Sequence, residues 1–64
     1  MFEFTKEEFE EICNKAMLNN ELTKIFEMKI KDYSITKIAL EMNMSERTVN
    51  RKIRQLKNKI MRVL

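Results

Sequence analysis

The chain has 64 residues, 44% of them apolar, with one cysteine, no histidine, no glycine, no proline and a formal charge of +3. That length makes one domain, residues 1–64, which buries only about 60% of the surface its unfolded form exposes, so its stability margin is thin. A lone Cys13 excludes an internal disulfide, the lack of histidine argues against zinc, and the lack of glycine removes phosphate-cradling loops. No cofactor is expected.

The opening residues alternate apolar and acidic side chains, unlike a signal peptide, and no uncharged apolar run reaches membrane-spanning length. A cytoplasmic chain with no membrane partner is therefore expected. Charge is unevenly spread. Residues 1–32 hold eight acidic and five basic side chains, a net of −3; residues 33–64 hold two acidic and eight basic, a net of +6. Attraction for a polyanion is concentrated in the second half.

Thr5 followed by Glu8 forms a capping box, with Phe4 and Phe9 at the positions of a hydrophobic staple, and predicts a first helix to about Leu18. Phe9, Ile12, Cys13, Ala16 and Met17 recur every three or four residues and draw its apolar stripe. Glu7, Glu8, Glu10 and Glu11 favour its start. Asn19 or Asn20 caps a second helix with Leu22, Ile25, Phe26 and Ile30 facing in and Met28 at the flank; Asp32, Tyr33 and Ser34 end it. Ser34 caps a third helix from Ile35 to about Met42, with Ile35, Ile38, Ala39 and Met42 inward. Asn43 and Met44 make the next turn, asparagine being the residue with a side chain that best tolerates a left-handed backbone. Ser45 caps a fourth helix whose buried stripe is Val49, Ile53, Leu56 and Ile60, extending to Val63 or Leu64. The expected fold is all-α: a small four-helix domain, with a three-helical core and an N-terminal helix.

Residues 34–56 read SITKIALEMNMSERTVNRKIRQL. Two short helices so closely joined must cross steeply, with the small Ala39 at their approach and Ile38, Met42, Met44 and Val49 closing the core between them. The outer face of the fourth helix is then free. Arg47, Asn50 and Arg51 are suited to base edges, because arginine and asparagine can form paired hydrogen bonds there. Glu46 either accepts a hydrogen bond from a cytosine amino group or only favours the helix start. Ser45 and Thr48, with the amide groups of the helix start, suit a phosphate, as do Lys37, Lys52 and Arg54. Lys57, Lys59 and Arg62 are compatible with a plain solvated face.

From Leu22 to Leu64 the sequence resembles the helix-turn-helix region of bacterial sigma factor region 4 domains and of LuxR-type effector domains. The resemblance rests on Phe26 to Tyr33 leading into Ser34-Ile35 and Ile38-Ala39, on Met44-Ser45-Glu46 with Thr48-Val49, and on Leu56 with Lys59-Ile60. It implies a recognition helix starting at Glu46 that reads the major groove of double-stranded DNA, in a small transcriptional regulator. Asn43 departs from the glycine usual at that position. The other domains of a sigma factor, or the receiver domain of a response regulator, do not fit in this length. A complete chain implies a minimal regulator of phage or mobile-element type; a fragment implies a longer parent.

The remaining residues read as structure. Met17, Met42 and Met44 are expected to fill core gaps, Tyr33 to cover the junction of the second and third helices, and Cys13 to be a small buried apolar group. No paired carboxylates or histidine suggest a general base, so no enzyme and no small-molecule substrate are expected. A protein-interaction or architectural adaptor, phage or polymerase-associated, built on the same helical core stands as the alternative. Ile60, Met61, Val63 and Leu64 either join two subunits in a homodimer, the favoured expectation for so small a core, or pack back on Phe2, Phe4 and Phe9.

Overall fold

The computed structural model describes residues 3–64. Four helices follow in chain order: α1 Lys6–Ala16, α2 Asn20–Ile30, α3 Ile35–Met42 and α4 Glu46–Val63. The described residues form no strand. Each helix begins where a side chain can take up a backbone N–H that the helix itself cannot satisfy. Thr5 and Glu8 form the reciprocal capping box, and Asn19, Ser34 and Ser45 accept from the amides of Leu22, Lys37 and Thr48. Glu11 and Lys15 pair across one turn of α1 at 2.8 Å, and the hydrogen bond and charge of Lys15 hold the Glu11 carboxyl below its ordinary value.

The three connections share one construction. Met17, Asp32 and Asn43 have φ of 51°, 65° and 56°, the left-handed region. In each case the next residue sends its N–H back to the carbonyl five positions earlier: Leu18 to Cys13 at 3.3 Å, Tyr33 to Met28 at 3.0 Å and Met44 to Ala39 at 2.9 Å. This is the Schellman closure of a helix end. Leu18, Tyr33 and Met44 then pack partly buried against the core, and the residue after each is the next helix's cap. Three residues thus stop one helix, anchor the chain and start another.

Met17 was expected in the core and in α1, and it is in neither. Its backbone turns left-handed at the end of α1, which throws the side chain outward to 84% exposure, and Leu18 takes the buried place. The rest of the core follows the expected stripes. Ile12, Leu22, Ile25, Phe26, Ile38, Ala39, Val49, Ile53, Leu56 and Ile60 are buried. Ile30, Ile35, Met42 and Met44 lie at its margin, as does Cys13, where burial pushes the thiol pKa up.

Phe26 is the centre of the first half. It is fully buried, with Phe4 edge-on at a centroid distance of 5.6 Å and Phe9 tilted at 4.9 Å. The expected staple between Phe4 and Phe9 is therefore a three-ring cluster in which α2 supplies the middle ring. Helices α1, α2 and α3 all pack on α4. At its far end Ile60 is buried and Val63 is half-buried against the core, whereas Met61 and Leu64 are 73% and 75% exposed. Ile60 and Val63 thus pack back within the domain. The part assigned to Phe2 in that packing lies outside the described residues.

Two substitutions test this account. Met17→Gly removes a left-handed methionine that makes little contact, and should raise stability by about 0.5–1 kcal/mol in thermal melts. A fall in melting temperature would mean that the Met17 side chain is packed. Phe26→Ala should cost about 3–5 kcal/mol, a large share of what so small a domain holds, and abolish a cooperative melt followed by circular dichroism.

Candidate nucleic-acid interface

The buried face of α4 determines what its other face can be. With Val49, Ile53, Leu56 and Ile60 turned into the core, a periodicity of 3.6 residues puts Arg47, Arg51 and Arg54 on the opposite side, with Asn50 at its edge. All four are exposed. Together with Thr48 they line one open concavity along the first half of the helix. Among the described residues, carboxylates form ion pairs with Lys15, Lys31 and Lys52 and with none of the three arginines. Their guanidinium groups are left free for an outside acceptor.

At the start of α4 the hydroxyl groups are ordered in a chain. Ser45 Oγ accepts from the Thr48 amide at 3.1 Å and donates to Thr48 Oγ1 at 2.9 Å. The Ser45 proton is thereby used internally, and the Thr48 hydroxyl retains its own proton for an acceptor in the concavity. The amides of Glu46 and Arg47 belong to the first turn and have no carbonyl within the helix to bond. A hydroxyl and two amides at the positive end of a helix suit a phosphate oxygen.

Three of the residues expected at the site have internal partners. Glu46 accepts the Thr36 hydroxyl proton through Oε2 at 3.1 Å, across the turn between α3 and α4. Lys37 holds its ammonium group 4.1 Å above the Tyr33 ring; this contact is weak enough at an exposed position to yield to a phosphate. Lys52 is turned away from the arginines toward α2, where Nζ meets Glu21 Oε1 at 2.7 Å with both side chains largely sheltered. The structure therefore separates Lys52 from Arg47, Asn50, Arg51 and Arg54, which it brings together. Thr36 and Glu21 escaped the sequence reading, because their contacts cross between helices and no spacing rule reports them.

A short helix joined by a tight left-handed turn to a longer one with an exposed cationic face defines a DNA-binding helix-turn-helix domain. A comparison with family models agrees: the one described as Sigma-70, region 4 matches residues 16–60. The chain belongs to the sigma-70 region 4 family, whose helix-turn-helix domains bind DNA and are not catalytic. No curated protein and no solved structure matches the chain significantly. Of the two families suggested by the motif, region 4 is the one this match supports. Among the described residues no helix is long and apolar enough to cross a membrane, and no cluster of acidic or cysteine side chains could hold a metal ion.

The Glu21–Lys52 pair joins α4 to α2. Glu21→Gln should cost about 0.5–1 kcal/mol in urea unfolding at low salt, and the cost should shrink in 1 M salt. An equal cost at both salt concentrations would point to packing rather than charge.

Proposed function

We propose that this domain binds duplex DNA sequence-specifically, with α4 lying in the major groove, and that it serves as a small transcriptional regulator. One observation carries the reading: Arg47, Asn50, Arg51 and Arg54 share one exposed face, free of carboxylate partners and lined up beside a phosphate-ready helix start. Arg47, Asn50 and Arg51 read base edges, joined by Glu46. Ser45, through its hold on Thr48, together with Thr48, Lys37 and Arg54, positions the backbone. Lys52, engaged by Glu21, is left out of that set.

A single recognition helix gives a small interface, and dimers on two half-sites are a common remedy. Here Ile60 and Val63 are already used within the domain, so a homodimer through the end of α4 would have to be built on Met61 and Leu64 alone. The adaptor reading has one observation behind it, an open and mostly apolar groove between the start of α1 and the end of α2, lined by Phe4, Phe9 and Ile30.

Selection from a random duplex pool, followed by titration at several salt concentrations, separates the readings. Binding should weaken steeply with salt, by about 0.9 in log–log slope for each phosphate neutralised. The double variant Arg47→Ala, Arg51→Ala should lose about a hundredfold or more in affinity for the selected duplex while keeping its helicity. A folded sample that binds no duplex at low salt refutes the proposal and favours the adaptor.

A further inference from the structure

Glu46 is an odd residue to find at the edge of a surface meant for DNA. A carboxylate close to phosphates is repelled, so its presence must be offset by a contact that only a carboxylate can make. Favouring the start of α4 would account for an acidic residue there, but does not account for its orientation. A free glutamate side chain has three rotatable bonds and would spread over many directions. This one is tied: the Thr36 hydroxyl donates to Oε2 from the first turn of α3, ten residues earlier in the chain.

We infer that Thr36 is a specificity-determining residue, whose hydroxyl holds the Glu46 carboxylate at the corner between α3 and α4 as an acceptor selecting the amino group of a cytosine. The inference rests on the proposed docking of α4 and goes beyond it by naming both the base and the residue that aims its reader.

The chemistry of the pair selects the base. Thr36 has one hydroxyl proton and has given it to Oε2, so the pair presents oxygen lone pairs outward and no proton. Guanine offers N7 and O6 in the major groove, and thymine offers O4; both set acceptor against acceptor. Adenine offers an amino donor, but its N7 acceptor lies beside it and faces the same carboxylate. Cytosine presents an amino donor with no acceptor next to it on its own edge. The discrimination is partly repulsive, which is how a lone charged group can reject three alternatives. Asn50 lies one turn further along α4 on the same side as Glu46. The base chosen by Glu46 is therefore next to, and distinct from, those contacted by Asn50 and the arginines.

Thr36 acts through Glu46 and is a positioning residue. Removing it should change which base is preferred more than how tightly DNA is held. The test uses the 64-residue chain, a duplex selected by it, and four versions of that duplex at each base pair. Glu46→Ala first identifies the position, as the one where preference is lost. At that position Thr36→Val, which keeps the side-chain shape and removes the donor, should reduce the preference for cytosine by about three- to tenfold. Mean affinity over the four duplexes should change less than twofold. Thr36→Ser, which keeps the hydroxyl, should restore the preference.

Thr36→Val with full cytosine preference overturns the inference, and so does an equal loss on all four duplexes, which would mark a purely structural role. A wild-type preference for another base at the Glu46 position, or Glu46→Ala leaving every preference intact, overturns it while the docking of α4 stands. Failure of the wild-type chain to bind any duplex refutes the docking itself, and the inference falls with it.

Discussion

Everything in this domain depends on one apolar stripe. Val49, Ile53, Leu56 and Ile60 run along α4, and the other three helices are packed on that helix. An 18-residue helix is about 27 Å long, enough for α3 to cross its start while α1 and α2 cover the rest. The stripe has a second effect at no further cost in sequence. A helix with one face buried has its opposite face committed to solvent, and here that face carries Arg47, Arg51 and Arg54. Core and binding surface are two consequences of the same periodicity. A change that rotated α4 to improve packing would misdirect the arginines as well.

Ten buried residues make a small core, and the connections have to add to it. The chain has no glycine to enter the left-handed region cheaply, so Met17, Asp32 and Asn43 take that conformation at some steric expense. What offsets it is visible in the residue that follows each. Leu18, Tyr33 and Met44 are anchored against the core by the turn that makes the strain necessary. Asparagine and aspartate suit such positions better than methionine does. The two turns nearest α4 have the better residues, and the methionine stands at the end of α1, farthest in sequence from the corner between α3 and α4.

Much of this was legible in the sequence because periodicity and capping are local. Thr5 with Glu8, Ser34 and Ser45 mark helix starts by chemistry that acts over three residues, and the buried positions of α2, α3 and α4 repeat at a fixed interval. Asn43 was readable as a left-handed residue for the same reason. Met17 was not: its side chain continues the apolar pattern of α1, and only the closure of Leu18 onto Cys13 decides that the helix has already ended. The candidate face was legible as a set, but the inner partners of its margins were not. From sequence alone, Lys52 reads as a phosphate contact with no sign of Glu21 beside it, and neither reading of Glu46 includes its bond from Thr36. Both contacts link residues on different helices, at separations set by how the helices cross.

The same contacts bear on how the charge of this chain is arranged. In the first half, Glu11 with Lys15 and Glu27 with Lys31 neutralise one another across single helical turns. Lys52, on the flank of α4, is neutralised from α2. The arginines on the outer face of α4 have no such compensation. Arg47, Arg51 and Arg54 thereby gather positive charge on one face of α4, suited to orient an approaching polyanion before any hydrogen bond forms. The one acidic residue of α4 is Glu46, which accepts from Thr36 at the corner where α3 meets α4. Attraction brings the duplex to this face whatever its sequence. On the proposed docking of α4, a negative group at that margin would reject base edges that attraction alone would accept.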